Sequence, residues 1–139
     1  MAQIQIKPKN ILEPSEKVLQ MYEAVHSFML EKRDISTIKV VDITSAAGIG
    51  KGTAYEYFSS KEEIIASAMA YEYKNKITEL VNCMFAQSGF KNRVMNVMNW
   101  IYDNQEYNQL FSHIFNEVMG EPRLPLIGSS IKQLESDNE

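Results

Sequence analysis

The chain has 139 residues and a formal net charge of −4, with 45% hydrophobic and 10% aromatic residues. This composition is ordinary for a globular protein and excludes an intrinsically disordered one. No apolar run approaches the length needed to cross a bilayer, and the N-terminal sequence MAQIQIKPKNILEP lacks an apolar signal core. We therefore expect a cytoplasmic protein with no membrane partner.

Residue types that carry catalysis or bind metals are sparse. The single cysteine, Cys83, cannot form an internal disulfide, and His26 and His113 lie in no cluster with metal-ligand spacing. The adjacent acids Glu62 and Glu63 fall in the first turn of a predicted helix, where acids are common. We therefore predict that the protein is not an enzyme and has no metal site and no cofactor.

Charge is distributed unevenly between the two halves of the chain. Residues 1–61 carry eight Lys and Arg against seven Asp and Glu, a net of +1. Residues 62–139 carry six against eleven, a net of −5. A protein that binds nucleic acid needs a locally basic surface rather than a basic total. The N-terminal half is therefore the better candidate for such a surface.

The chain is predicted to begin with an arm and one long helix. Residues 1–13 lack periodicity and are predicted to be a flexible N-terminal arm. Ser15, followed by an acid, predicts a helix start. The apolar residues after it repeat at helical spacing: Val18, Met21, Tyr22, Val25, Phe28 and Met29. In the connector that follows, Ile35 and Ile38 are predicted to anchor in the core.

Two short helices joined by a corner are predicted between Val40 and Phe58, in the sequence VVDITSAAGIGKGTAYEYF. The inner face of the first helix is predicted from its spacing: Val40, Ile43, Ala46 and Ala47. Gly48 follows at the point where a helix end favours a residue that tolerates positive φ. A steep pair of helices joined by a tight glycine turn is the outline of a helix-turn-helix.

The second helix of this pair carries residue types suited to contact with DNA. Glycines permit a close approach, Lys and hydroxyl groups donate to phosphates, and Tyr reaches a phosphate or a thymine methyl. The predicted DNA-binding residues are Gly50, Lys51, Gly52, Thr53, Tyr55, Tyr57 and Lys61. Glu56 on the same helix either reads a cytosine amino group or faces solvent. The competing interpretation is a structural corner, which also occurs in all-α proteins that bind nothing.

The rest of the chain predicts three more helices. Ser60 and Glu63 fit a capping box, so a helix is expected from Lys61 to about Ala86. Gly89 interrupts the pattern. Two apolar stripes follow, the first of Phe90, Val94, Val97, Met98 and Ile101, the second of Tyr107, Leu110, Phe111, Ile114, Phe115 and Val118. No strand-like alternation is present, so we predict an all-α fold.

Met and aromatic residues are frequent in the last two predicted helices. Flexible Met side chains suit an adaptable apolar pocket, so these residues are candidates for the site of a small apolar effector. The candidate pocket residues are Met84, Met98, Trp100, Tyr102, Phe111 and Phe115. The alternative is that the same stripes form an ordinary hydrophobic core.

The segment GIGKGTAYEYFSSKEEII resembles the signature of the TetR family of bacterial transcriptional regulators. The in-register similarity runs from about Val18 through Ile65. Three positions depart from the family pattern. Gly50 stands where Ser is common, Thr44 where Ala is usual, and Lys39 where Thr or Ser often caps the helix.

The resemblance implies an N-terminal three-helix helix-turn-helix DNA-binding domain over residues 14–60. Residues 61–139 are then part of a helical effector-binding and dimerisation domain. The implied function is a DNA-binding transcriptional regulator, a ligand-responsive repressor. Its implied partners are a double-stranded, pseudo-palindromic DNA operator, an unknown small-molecule effector and a second copy in a homodimer.

Two expectations remain open at this point. Chains of the family usually continue with two more helices that form the dimer interface, so this chain is either a fragment or a short member that dimerises differently. The alternative function is a helical protein-interaction adaptor that has kept the fold and lost DNA binding. Glu56 and the short length favour that alternative.

Overall fold

The computed structural model describes residues 13–119, except for the side chains of residue 111 and of residues 114–119. Within this range the chain forms six α-helices, one 3-10 helix and no strand. In chain order these are α1 (Glu16–Leu30), the 3-10 helix (Ile35–Thr37), α2 (Val40–Ala47), α3 (Lys51–Tyr57), α4 (Lys61–Phe85), α5 (Phe90–Asp103) and α6 (Gln105–Met119). The all-α prediction is confirmed. No helix in this range is both long and apolar enough to cross a membrane.

Helix α1 lies at the centre of the N-terminal half and contacts α2, α4 and α6. All six residues of its predicted apolar stripe are buried. The Tyr22 ring lies 6.3 Å from the Phe58 ring and 5.4 Å from the Tyr71 ring, measured between centroids. Burial raises the pKa of the Tyr22 hydroxyl. Tyr22 therefore joins α1 to the end of α3 and to α4.

Helix α2 packs on α1 with a face that differs from the predicted one. Ile43 is fully buried and Ala47 packs partly against the core, as predicted, but Ala46 is exposed. Thr44 takes a buried position instead, and its hydroxyl donates to the carbonyl of Val41 at 3.2 Å. Because that hydrogen bond satisfies the hydroxyl, Thr44 can enter the core without leaving a polar group unpaired.

Helix α4 begins at a cap that resembles the predicted capping box. Ser60 Oγ accepts from the Glu63 N–H at 3.2 Å, and Glu63 Oε2 accepts from the Ser59 N–H at 2.6 Å. The reciprocal bond therefore goes to the residue before the N-cap rather than to the N-cap itself. The helix ends at Phe85, one residue before its predicted end. Residues 63–70 are buried, whereas much of the remainder of α4 is exposed.

Helix α5 runs back along α4, and α6 then contacts α1 and α5. The predicted apolar stripe of α5 exists but faces away from the described core. Phe90 is 86% exposed, Met98 57% and Ile101 45%. In the described part of the chain, these three side chains therefore do not belong to the buried core. The physical reason is that polar side chains of α5 occupy the contact with α4.

The cap of α4 allows a direct stability test. Ser60→Ala removes the side-chain acceptor of the Glu63 N–H at the helix start and is expected to lower the free energy of unfolding by about 1 kcal/mol. Urea denaturation followed by circular dichroism measures this change. The matched control is Ser59→Ala, because Ser59 is exposed and contributes only its backbone N–H to the cap. Equal losses in the two variants would contradict the capping role.

Candidate nucleic-acid interface

The corner between α2 and α3 is closed by backbone hydrogen bonds around Gly48. Gly48 has φ 70° and ψ 27°, the left-handed conformation that favours glycine. The Ile49 N–H donates to the Thr44 carbonyl at 3.0 Å, and the Gly48 N–H donates to the Ser45 carbonyl at 3.2 Å. This bond pair is the Schellman motif, and Ile49 packs partly against the core beside it. The motif sets the direction in which α3 leaves the turn.

Helix α3 is held by its inner face. Ala54 is 1% exposed and Phe58, directly after the helix, is 4% exposed. Tyr57 also packs partly against the core. At 3.6 residues per turn, these anchors leave the opposite face of the helix in solvent. That face, called the α3 face below, consists of Lys51, Gly52, Tyr55 and Glu56.

Packing within the protein does not require glycine at position 50 or at position 52, near the start of α3. Gly50 is the N-cap residue with φ −75°, and a Cβ there would meet Thr53 Oγ1 at 3.8 Å, an ordinary contact. A Cβ on Gly52 would meet nothing within 4 Å. The free protein therefore has room for a side chain at both positions. Close approach by another molecule would explain why both are glycine.

Lys61 is engaged inside the protein. Its ammonium group lies 3.3 Å from the Ile35 carbonyl and 3.5 Å from the Ser36 carbonyl, and 3.9 Å from Glu62 Oε1. Its side chain is only 20% exposed. An ammonium has three donors, and two of them serve the 3-10 helix. The assignment of Lys61 as a phosphate contact stays a prediction, and the observed role is to tie α4 to the segment before α2.

The 3-10 helix differs from the predicted structure, which has only a connector at these residues. Asp34 caps it, because its Oδ1 accepts from the Ser36 N–H at 2.9 Å and from the Ser36 hydroxyl at 2.7 Å. These bonds lower the pKa of the Asp34 carboxyl. Asp followed two residues later by Ser was the available signal. Ile38 is buried as predicted, at 3% exposed.

The predicted DNA-binding residues fall into two groups. The structure places Gly50, Lys51, Gly52 and Tyr55 together on the exposed start of α3, with Tyr55 51% exposed. Thr53 and Tyr57 are half-buried at its sides. Glu56, for which two roles were left open, lies on the exposed face beside Tyr55. The surface is therefore small, and it carries one positive and one negative charge.

Four of the six predicted effector-pocket residues have described side chains, and these four differ in exposure and in what they face. Trp100 faces α4 and donates to Glu79 Oε1 at 3.1 Å, whereas Met98 and Tyr102 are 57% and 72% exposed. Met84 is half-buried. The side chains of Phe111 and Phe115 lie outside the described residues. The four described residues therefore do not line one enclosed cavity.

A cleft lies elsewhere, between the C-terminal end of α1 and the α5–α6 corner. Its volume is about 980 Å³. Met29, Arg33 and Asp34 line one side, and Asp103 and Tyr107 line the other. None of the four predicted pocket residues whose side chains the structure describes lines this cleft. The mixture of charged and apolar groups suits a polar ligand better than a wholly apolar one.

The helix-turn-helix region is similar in sequence to a known protein family. Residues 29–68 match the family model of bacterial regulatory proteins of the tetR family, a span from the end of α1 into α4. The chain carries a TetR-family DNA-binding domain. No curated protein and no solved structure matches the chain significantly.

The matched segment bears on the general function. The family's domain is a helical helix-turn-helix that binds DNA, and this similarity supports a DNA-binding transcriptional regulator. Members of the family are regulators and not enzymes. In this protein α2 and α3 form the helix-turn-helix, and α1 and the start of α4 hold it from beneath.

The corner of the TetR-type domain gives a second stability test. Gly48→Ala is expected to cost roughly 1–2 kcal/mol of unfolding free energy, because a Cβ disfavours the left-handed conformation. No atom lies within 4 Å of the added Cβ, so the cost comes from the backbone alone. Gly48→Asn should cost less, since Asn tolerates this conformation. If thermal or urea unfolding gave the same loss of unfolding free energy for Gly48→Ala and Gly48→Asn, backbone conformation would not be the cause.

Proposed function

We propose that this regulator is a ligand-responsive repressor that binds a pseudo-palindromic operator as a homodimer, with the α3 face of each copy in the major groove. The observation that supports this proposal most directly is the anchoring of α3. Burial of Ala54 and Phe58 turns Lys51, Gly52 and Tyr55 outward together. A recognition helix docks with the residues near its N-terminus facing the bases.

Each residue of the α3 face has a proposed role. Lys51 donates to a DNA phosphate as a flexible point charge. Tyr55 donates its hydroxyl to a phosphate or packs its ring on a thymine methyl. Gly50 and Gly52 let the helix backbone approach the DNA closely, and Thr53 donates a hydroxyl from the side of the helix.

The small size of the α3 face indicates how many half-sites the proposed operator has. One seven-residue helix reads only a few base pairs, so specific binding needs two copies on two half-sites. The half-sites should be about 34–36 Å apart, or a multiple of that distance. A homodimer with twofold symmetry matches a pseudo-palindromic operator.

Ligand response is proposed to act through the spacing of the two DNA-binding domains. The cleft between α1 and α6 touches the domain at Arg33 and Asp34, directly before the 3-10 helix. A ligand that binds there with different affinity in the two arrangements would shift the population between DNA-competent and incompetent dimers. This makes the cleft a better candidate effector site than the residues predicted from the sequence.

Lys51 provides the first test of DNA binding. Lys51→Ala is expected to weaken binding to all DNA sequences and to reduce the salt dependence of log K by about 0.9, the value for one lost phosphate contact. Fluorescence anisotropy against DNA from upstream of the gene for this protein, at several salt concentrations, measures both effects. Lys74→Ala on α4 is the matched control for charge. An unchanged salt slope for Lys51→Ala would remove this residue from the interface.

Gly52 provides a test in which stability and binding move in opposite directions. Gly52→Ala should raise the free energy of unfolding by about 0.5–1 kcal/mol, because alanine is the better helix former and the position is open. If the backbone approaches DNA here, the added methyl group should weaken operator binding at least tenfold. A more stable protein with unchanged DNA affinity would show that Gly52 lies away from the DNA.

One observation supports the alternative function, a helical protein-interaction adaptor. Glu56 places a negative charge on the α3 face. Glu56→Gln separates the two functions. On DNA, the change should either relax specificity at a single cytosine or strengthen binding to all sequences by removing repulsion. An adaptor predicts no salt-dependent DNA affinity in either form, together with a stable complex with another protein.

A further inference from the structure

The cleft between the end of α1 and the α5–α6 corner carries opposite charges on its two sides. Lys32 and Arg33 lie on the α1 side together with one acid, Asp34, which gives that side a net charge of +1. The opposite side carries two acids, Asp103 and Glu106, and has a net charge of −2 when histidine is counted as neutral. The cleft is therefore polarised from one side to the other.

These charges do not neutralise each other across the cleft. The two cations and the two acids of the corner, Asp103 and Glu106, form no salt bridge with any described residue. Asp34 differs, because its Oδ1 accepts two hydrogen bonds from Ser36. Opposite charges that face each other across an open space can both be paired by one molecule that carries both signs.

Lys32 has a backbone conformation that lysine rarely adopts. Its φ is 56°, in the left-handed region. At the end of α1 its N–H donates to the Met29 carbonyl at 3.0 Å, and the Arg33 N–H donates to the Phe28 carbonyl at 3.1 Å. This bond pair is a Schellman motif, in which glycine is the usual residue at the position of Lys32. Because lysine is strained there, its side chain is a candidate for a function that glycine cannot supply.

Contacts with residues behind the cleft hold its lining in place. The Arg33 guanidinium lies 4.3 Å from the centroid of the Phe28 ring. On the opposite side, Lys76 Nζ lies 3.0 Å from Asn104 Oδ1 and 4.9 Å from the centroid of the Tyr107 ring. Groups that are fixed before binding lose less conformational entropy when a ligand arrives.

We propose that this cleft binds a short zwitterionic peptide. The C-terminal carboxylate of the peptide pairs with Lys32 and Arg33 on the α1 side. Its N-terminal ammonium pairs with Asp103 and Glu106 on the corner. The effect of the peptide on operator binding rests on the proposed function, whereas the binding of the peptide does not.

The size and the remaining lining of the cleft suit a ligand of a few residues. A volume of about 980 Å³ lies at the upper end of the range for sites that hold drug-sized ligands, so a single amino acid would leave most of the cleft empty. Met29, Leu30 and Leu110 offer apolar surface to the side chains of a peptide. The exposed Gln109 offers an amide that can donate to or accept from a peptide group.

Tripeptides with modified ends test which charges the cleft recognises. Isothermal titration calorimetry on the full chain compares tripeptides with aliphatic or aromatic side chains in unmodified, N-acetylated, C-amidated and doubly blocked forms. Removal of either charge should weaken binding about tenfold, because a hydrogen bond between charged groups is lost. Acetylation removes only the ammonium and amidation only the carboxylate, so each side of the cleft is tested separately.

Lys32→Gly should change stability and peptide binding in opposite directions. Glycine relieves the left-handed backbone, so the urea concentration at the midpoint of unfolding should rise. The same change removes a cation, so the unmodified and the N-acetylated peptide should both bind about tenfold more weakly. Lys32→Arg is the matched control, because it keeps the charge and the backbone strain and should keep peptide binding.

The double variant Asp103→Asn with Glu106→Gln tests the opposite side. It should bind the unmodified peptide only as well as the N-acetylated one, because nothing is left to recognise the ammonium. Glu13→Gln with Glu23→Gln is the matched control, since both residues are exposed and neither lines the cleft. Circular dichroism checks that both double variants retain their helices.

Three results would overturn the proposal. One is a protein that binds none of the tripeptides at millimolar concentration. Another is equal affinity for all four forms of a peptide. The third is an affinity that depends on only one of the two terminal charges, because the cleft would then bind a simple anion or a simple cation.

DNA titration separates this proposal from the proposed function. The unmodified peptide should weaken operator binding, and its doubly blocked form should not. Peptide binding that leaves operator affinity unchanged would refute the ligand response in the proposed function and leave the peptide site intact. Peptide binding as expected in a protein that binds no DNA would refute the regulator proposal and also leave the peptide site intact.

Discussion

The contact of Tyr22 with Phe58 and Tyr71 is the interaction on which the DNA-binding domain depends. It joins the central helix, the residue that ends α3 and the first half of α4 in one buried cluster. Aromatic rings bury large areas and have few rotatable bonds, so the contact sets positions as well as adding stability. The α3 face points outward because the inner side of that helix is fastened to this cluster.

The two halves of α4 have different surroundings, and this difference organises the molecule. The first half is surrounded by the DNA-binding domain, and even Glu63 is only 4% exposed there. The second half contacts α5 through amides, an indole N–H and charged groups. The Lys76 ammonium and the Trp100 indole lower the pKa of Glu79 between them. A polar seam between two amphipathic helices leaves their apolar sides available for another surface.

Much of the local structure was predictable because it follows from short-range chemistry. The stripe of α1, the cap at Ser60 and the left-handed turn at Gly48 each depend on residues within one or two helical turns. Positions that depend on neighbours distant in sequence were less predictable. Ala46 was assigned to the core and Thr44 was not, because the side of α2 that meets α1 is set by packing. The hydrogen bonds of Lys61 to carbonyls about 25 residues away were likewise not predictable from local sequence.

By itself the sequence determined the helical class, the approximate helix bounds and the presence of a helix-turn-helix, since periodicity, caps and glycine turns are local signals. The tertiary structure decided which faces are buried. Periodicity revealed the apolar stripe of α5 but carried no information on its direction, which the hydrogen bonds of Asn96 and Trp100 to α4 settled. Likewise, the residue types of α3 suggested contact with DNA, but only the burial of Ala54 and Phe58 determined which of them face outward.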